Sequence, residues 1–167
     1  GWSFLCLCPS DHVGIGKGHR GCDSPGKRPI ADGGAWKQWQ TERPSPSRVS
    51  AWWTAQPNAN VGIAVAPSKL TVLDVDVGKK ADGTPKRGRE SLAKIEHELV
   101  PTLLAQTGRG GTHAVFSRPD GVEPARIIGI IEKDSGLDLI GEGYIVAAPS
   151  YLTESNSYYQ WTQQHAI

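Results

Sequence analysis

The chain has 167 residues, of which 38% are hydrophobic and 21% are charged, so its composition excludes wholesale disorder and allows one compact domain or two small packed modules. Its formal net charge of +1 excludes a broadly basic surface of the kind that binds duplex DNA tightly at high salt. No apolar stretch approaches the roughly 18 residues that a membrane-spanning helix needs, so we expect no membrane partner and a cytoplasmic location.

Strands and helices alternate in the first half of the predicted fold. In chain order, the predicted elements are a strand over 1–8, a loop over 9–33, short helices over 35–40 and 47–55, and strands over 60–66 and 70–77. We expect the last two strands to pair with each other through the turn at residues 67–69.

Strands dominate the second half of the predicted fold. A charged loop over 78–89 precedes an amphipathic helix over 90–100, in which Leu92, Ile95 and Leu99 recur at helical spacing. The remaining predicted strands cover residues 112–117, 126–131, 137–140, 144–148 and 157–162. Strands that first alternate with helices and then follow one another predict a mixed α/β domain of the broad α+β class.

The cysteines suggest a metal site near the N-terminus. Cys6, Cys8 and Cys22 are the only cysteines, and their odd number argues against a disulfide framework. With His12 and His19 between them, they exceed the four ligands of a structural zinc ion, so one hypothesis is a zinc site formed by Cys6, Cys8, His19 and Cys22. The alternative is that Cys6 and Cys8 are ordinary apolar residues of a strand, because Cys-x-Cys is not the usual Cys-x2-Cys knuckle.

Asp74 and Asp76 lie within the apolar run Leu70–Val77, which predicts a buried central strand. Residues two apart on a strand share a face, so we expect the two carboxylates to project together. Adjacent buried carboxylates repel each other, and Mg²⁺ or Mn²⁺ is the usual compensating ion. The alternative is that both acids are solvated at the strand end or paired with Lys79 and Lys80.

The segment Thr107–His113 is a glycine-rich turn that leads into a predicted strand. Gly111 would let backbone amides approach an anion, and Arg109 and His113 would add charge-assisted hydrogen bonds to a phosphate. The segment lacks the Lys-Ser/Thr ending of a P-loop, which excludes a Walker site. The alternative is a simple hairpin turn with a half-buried histidine.

Two further polar residues stand out. Asp138 is embedded in the apolar strand predicted over 137–140, so we expect it to need a partner, either the Asp74 and Asp76 pair or nearby backbone amides. Lys27, in the loop segment Gly26–Pro29, is a candidate for contact with a phosphate or a template backbone, and the alternative is a solvated loop lysine.

Taken in order, these motifs resemble the primase–polymerase (Prim-Pol) domain of plasmid and phage replication proteins, in the archaeo-eukaryotic primase superfamily. The resemblance covers about residues 26–161 and is carried by the segments Gly26–Pro29, Asn60–Ile63, Leu73–Asp76, Thr107–His113, and Asp138 with Gly141–Ser150. It implies that Asp74, Asp76 and Asp138 are the metal-binding acids and that His113 contacts the phosphates of the incoming nucleotide.

The resemblance also implies a fold and an activity. The fold would be a single domain over 1–167, with a mixed β-sheet, an RRM-like catalytic module in the core 34–167, and a smaller N-terminal α/β module that includes the loop-rich segment 1–33. The activity would be two-metal transfer of nucleotides from dNTPs or NTPs to a primer on single-stranded DNA, with two Mg²⁺ or Mn²⁺ ions. The absence of methionine and the initial glycine predict a domain from a longer bacterial, phage or plasmid protein, in which a helicase is an expected partner.

Two other functions are compatible with the same residues. Paired acids also serve metal-dependent nucleases, which hydrolyse phosphodiesters. The fold could also serve as a non-catalytic nucleotide-binding or nucleic-acid-binding module. Extension of a labelled primer, dependent on added nucleotide, distinguishes the polymerase from both.

Overall fold

The computed structural model describes residues 1–13, 15, 19 and 21–163, and the predicted loop over 9–33 therefore extends partly outside the described residues. The predicted α+β class is confirmed, because antiparallel sheets and a few short helices make up the fold. The strands are β1 Ser3–Leu7, β2 Asn60–Ala64, β3 Leu70–Val75, β4 Leu103–Gln106, β5 Thr112–Ser117, β6 Arg126–Ile128, β7 Leu137–Ile140, β8 Tyr144–Ala147, β9 Tyr151–Leu152, β10 Ser157–Tyr158 and β11 Gln160–Gln163. The helices are α1 Pro46–Ala55 and α2 Gly88–Ala93, with 3-10 segments at Ala31–Gly34, Lys37–Gln40, Glu96–Glu98 and Thr153–Ser155.

Two sheets form the centre of the domain. The larger has six strands in the order β11-β4-β5-β3-β7-β6, and the smaller has three in the order β1-β2-β8, while β9 and β10 form a separate ribbon. Every pairing between named strands of the described residues is antiparallel. Strand β3 lies inside the six-stranded sheet, with partners on both edges, as its run of apolar and β-branched residues predicts.

The six-stranded sheet is covered on both faces, since alternate residues of β3 belong to two different apolar clusters. Val72 packs with Ile63 and Ile145 of the small sheet, whereas Leu73 belongs to a cluster completed by Leu92 of α2. The other face of the small sheet packs on α1 and the 3-10 segments. Beginning from α1, the layers are therefore helix, small sheet, large sheet and helix.

Helix α1 begins where the sequence predicts, within a residue. The Ser45 side chain accepts a hydrogen bond from the Arg48 amide at 3.2 Å, and Pro46 occupies the first turn. The helix buries Trp52, whose indole N–H donates to the Asp32 carboxylate at 3.0 Å. At 10 residues α1 is the longest helix of the described residues, and none of their helices is long and apolar enough to cross a bilayer.

Several predicted elements differ in the structure. The expected pairing of the strands over 60–66 and 70–77 is wrong, because β2 pairs with β1 and β8 while β3 pairs with β5 and β7. The link between them crosses from one sheet to the other, and Ser68 fixes it by donating to the Ala64 carbonyl and accepting from the Ser3 amide. The helix predicted over 90–100 is shorter, since α2 ends at Ala93 and a 3-10 turn follows.

Candidate active site

Three polar side chains form a row across the middle of the six-stranded sheet. Asp74 on β3 lies directly opposite His113 on β5 and directly opposite Asp138 on β7. Directly opposed residues of antiparallel strands project to the same face of a sheet. That face is the one covered by the small sheet, because Val72, two residues before Asp74, packs there. The structure thus brings Asp138 to the same side of the sheet as Asp74.

Asp74 is an acid with a strongly shifted pKa. Burial raises its pKa to about 7, and the negative charges of Asp76 and Asp138 add to this effect, while Lys86 and Arg126 oppose it. Its side chain is only 24% exposed, so solvent screens these charges incompletely. Near neutral pH, Lys86 and Arg126 therefore supply too little positive charge to keep Asp74 fully ionised.

Asp76 follows β3 directly, and two backbone hydrogen bonds fix its position. Its amide donates to the Gly136 carbonyl at 2.8 Å, and its carbonyl accepts from the Gly88 amide at 3.1 Å. A Cβ atom at Gly88 would lie 2.2 Å from that carbonyl oxygen, so only glycine fits at this position. The Asp76 carboxylate pairs with Lys86, at 2.7 Å between Oδ2 and Nζ.

Lys86 belongs to the charged loop predicted over 78–89, and the sequence predicted no role for it in the site. It was instead Lys79 and Lys80 that appeared as alternative partners of the acids, whereas Lys80 pairs with Asp134 at 3.0 Å. The loop folds back on itself, with the Lys86 amide donating to the Gly78 carbonyl at 2.8 Å. No periodic signal in a loop predicts such a return, although the proximity of basic residues to the acids could have suggested it.

His113 is the most buried member of the row, with 6% of its surface exposed. Burial lowers its pKa to about 4, and the nearby positive charge of Lys27 contributes, so the ring is neutral near pH 7. Its Nε2 lies 3.6 Å from Asp74 Oδ1, and its buried Nδ1 has no hydrogen-bond partner. An unpartnered ring nitrogen at this depth is available to a ligand.

The glycine-rich segment forms the hairpin turn of the alternative interpretation and leads into β5 as predicted, whereas β4, the strand before it, was not predicted. The Thr107 amide donates to the Gly111 carbonyl and the Gly110 amide to the Thr107 carbonyl, both at 2.9 Å. A Cβ atom at Gly111 would lie 2.4 Å from the Val75 carbonyl oxygen, so glycine lets the turn pack against the end of β3. The backbone of the turn is consequently close to the acids.

Lys27 and Arg109, distant in sequence, meet at one carboxylate. Arg109 donates two hydrogen bonds to Glu154, at 2.8 and 2.7 Å, and Lys27 Nζ lies 3.6 Å from the same side chain. Burial lowers the pKa of Lys27, and the charge of Arg109 lowers it further, while Glu154 and Asp76 oppose the change. Sequence reasoning missed Glu154, which lies in an exposed 3-10 turn with no pattern to mark it.

The three acids fit a divalent cation by their chemistry. They supply hard oxygen donors, and burial together with their mutual repulsion raises the pKa of Asp74, an effect that a nearby cation would oppose. Their oxygens do not converge fully: among the described residues, the group whose ligand atoms all approach within 4.8 Å of one another lies elsewhere. Lys86 supplies positive charge to Asp76.

That other group consists of Cys8, His12, His19 and Cys22. It corrects the predicted zinc set in one member, because His12 takes the place of Cys6. Cys6 lies within β1 and is 1% exposed in the apolar core, where burial raises the pKa of its thiol to about 12. Cys8 follows the end of β1, so the alternation of a strand no longer governs its direction.

The acidic row lies on a sheet face together with the unpartnered Nδ1 of His113, and Lys27 and Arg109 lie near it; this combination has the chemistry that a phosphate-bearing ligand requires. Residues 1–167, the whole chain, match the Prim-Pol family model, described as bifunctional DNA primase/polymerase, N-terminal. The chain therefore belongs to the Prim-Pol family, and the resemblance seen in its motifs is confirmed. Membership implies a nucleotidyltransferase that acts on DNA and nucleotides in DNA replication. A search of curated proteins found no match.

Proposed function

We propose that this domain is a DNA primase and polymerase that adds nucleotides from dNTPs or NTPs to a primer on a single-stranded DNA template. The observation that carries the proposal is the register of β5, β3 and β7, which aligns His113, Asp74 and Asp138 in one row on one face. Family membership supports the reaction class, and the row supports the residues that perform it.

Asp74, Asp76 and Asp138 would hold two Mg²⁺ or Mn²⁺ ions. When bound, such ions lower the pKa of the attacking 3′-hydroxyl and neutralise charge on the triphosphate. The raised pKa of Asp74 supports this role, because a carboxyl that is difficult to ionise alone gains most from a nearby cation. Lys86 would leave Asp76 when cations arrive, since both compete for the same carboxylate.

The remaining residues of the site would bind and orient the triphosphate. His113 is neutral near pH 7, so one ring nitrogen donates a hydrogen bond to a phosphate oxygen without adding full charge. Lys27 and Arg109 would exchange Glu154 for the phosphates, which carry more negative charge. The backbone at Gly111, free of a side chain, would let the turn approach the same phosphates.

We further propose how the domain is organised and where it works. Residues 34–167 would form the catalytic core, and the loop-rich segment 1–33 would complete the site by supplying Lys27. The setting would be the cytoplasm, in bacterial, phage or plasmid replication, with a helicase as partner. These points rest on the family's role in replication.

Extension of a labelled primer on single-stranded DNA tests the proposal. With Mg²⁺ or Mn²⁺ and added nucleotides we expect longer products, and we expect Asp74→Ala and Asp138→Ala to abolish them while both variants remain folded. Asp120→Ala is the matched control, because Asp120 is 89% exposed and pairs only with Lys69 in a surface ion pair.

Three results would contradict the proposal. Shortening of the primer without added nucleotide would indicate a nuclease. A protein that binds DNA and nucleotide but forms no product would be a non-catalytic module, provided that both Mg²⁺ and Mn²⁺ have been tested with both dNTPs and NTPs. Full activity in Asp138→Ala would remove Asp138 from the metal-binding set.

A further inference from the structure

We propose that Cys8, His12, His19 and Cys22 bind a structural Zn²⁺ ion that fixes the loop presenting Lys27 to the active site. The ligand atoms of these four side chains all lie within 4.8 Å of one another. Nothing in the proposed nucleotidyl transfer uses them. The group also lies outside the acidic row, on the segment that joins β1 to the first 3-10 turn.

The two histidines supply independent support for a ligand at this group. His12 Nε2 and His19 Nε2 are both buried, and neither has a hydrogen-bond partner. Their rings meet edge to face, with centroids 5.0 Å apart and planes at 87°, so the rings do not hydrogen-bond to each other. Two buried, unpartnered nitrogens beside two free thiols are costly unless something binds them.

The donor set selects the metal. Two thiolates and two imidazoles form the Cys2His2 set of structural zinc sites, whereas Mg²⁺ and Ca²⁺ prefer oxygen. With Zn–S bonds of about 2.3 Å and Zn–N bonds of about 2.0 Å, neighbouring ligand atoms of a tetrahedron are about 3.3–3.8 Å apart. The observed limit of 4.8 Å is within about 1.5 Å of that geometry, which small side-chain movements provide.

The backbone surrounds the Cys8 sulfur closely. The Cys8 thiol donates a hydrogen bond to the Ser24 carbonyl at 3.8 Å. The Cys8 amide in turn donates to the Arg28 carbonyl at 2.8 Å. Such outer hydrogen bonds orient the ligands of a metal and support its binding.

The same loop carries Lys27, which connects the zinc site to the active site. Lys27 lies directly before Arg28, whose carbonyl accepts the hydrogen bond from the Cys8 amide. The Gly26 carbonyl accepts a hydrogen bond from the Asn60 side chain at 2.9 Å, so the loop is already docked on β2. Zinc would close the remaining end of the loop at Cys22 and so hold Lys27 beside Glu154.

Metal analysis of the purified chain tests the site directly. We expect about one zinc ion per chain after purification without chelators, and in the cobalt-substituted protein the visible d–d bands of tetrahedral Co²⁺ with thiolate charge-transfer absorption. Cys22→Ser and His12→Ala should lose the zinc, while Cys6→Ala should keep it. Cys6→Ala is the matched control, because Cys6 is the neighbouring cysteine but belongs to the core.

A second test uses only the wild-type chain, so it does not depend on whether the variants fold. Zinc is removed from the wild type with a zinc-selective chelator and then added back. Recovery of about one zinc ion per chain, with a higher thermal midpoint than the stripped form, supports the site. Zinc well below one per chain that equimolar Zn²⁺ does not restore would overturn it. Loss of zinc in Cys6→Ala with retention of zinc in His12→Ala would also overturn the site. A Cys8–Cys22 disulfide that persists in reducing buffer would do the same.

Nucleotide affinity tests the connection to Lys27, and this part alone rests on the proposed function. Stripping zinc from the wild type should weaken nucleotide binding about tenfold, the loss expected for one charge-assisted hydrogen bond. In Lys27→Ala the same stripping should change binding less than twofold, because the contact is already gone. Equal loss in both proteins would contradict the positioning role. Zinc retained in a protein without polymerase activity would refute only the proposed function.

Discussion

Replacing Asp138 by asparagine tests whether the acids share one electrostatic site. The pKa of Asp74 is raised from 3.8 to about 7, with burial as the largest cause, Asp76 second and Asp138 third. Asp138 is the smallest of the three causes that raise this pKa, so Asp138→Asn should lower the pKa of Asp74 by on the order of 1, equivalent to about 1.4 kcal/mol. The pKa stays above 3.8, because burial and Asp76 remain.

The assay is a carbon-13 titration of the aspartate carboxyls in metal-free buffer, on wild type and variant. Asp120→Asn is the control, because its carboxylate is 89% exposed and pairs with Lys69 at the surface, and it should leave the Asp74 titration unchanged. An unchanged pKa of Asp74 in Asp138→Asn would refute the shared site. A decrease of the same size in Asp120→Asn would show that overall charge, rather than the row, causes the effect.

Three further predictions concern neighbouring residues. Folding raises the pKa of Asp74 from 3.8 to about 7, so the protein loses stability as pH rises through this range. Asp74→Asn should therefore stabilise the protein by about 1–3 kcal/mol at pH 8 and little at pH 4. Urea unfolding at both pH values measures the gain in stability, and equal gains at both would contradict the prediction. His113→Ala should weaken nucleotide binding about tenfold and template binding less than twofold, as measured by fluorescence anisotropy with each ligand; equal losses would make His113 structural. Glu154→Gln should tighten nucleotide binding about two- to fivefold, because Lys27 and Arg109 lose a competing carboxylate, and isothermal titration at low salt would detect an opposite change.

The sequence was sufficient to predict the strands that carry the acids. Asp74 and Asp138 lie in apolar runs whose only consistent interpretation is a buried strand, and both runs are strands in the structure. The antiparallel register then places Asp138 opposite Asp74, but the register depends on which strands become neighbours. The wrong pairing of β2 with β3 shows the limit, because both strands have an apolar pattern and only the two-sheet packing separates them.

Residues in loops could not be predicted in the same way. Lys86 reaches Asp76 because its loop folds back, and Glu154 reaches Arg109 across 45 positions of sequence. Neither contact has a periodic signal. The exchange of Cys6 for His12 has a similar cause, since the strand ends between Cys6 and Cys8 and the chain then turns at His12, which has a φ of 58°.

If Lys27 and Arg109 bind phosphates as proposed, Glu154, which pairs with both, would also set a threshold for the anions that enter. An incoming molecule must offer these two cations a better counter-charge than a carboxylate already in place at 2.7 Å from Arg109. A nucleoside monophosphate carries at most about two negative charges, and Glu154 already offers the two cations one, so the monophosphate has only a small advantage over Glu154. A triphosphate, with about twice the charge of a monophosphate, would displace Glu154 far more readily. The domain would thereby reject nucleoside monophosphates before any metal ion discriminates between nucleotides.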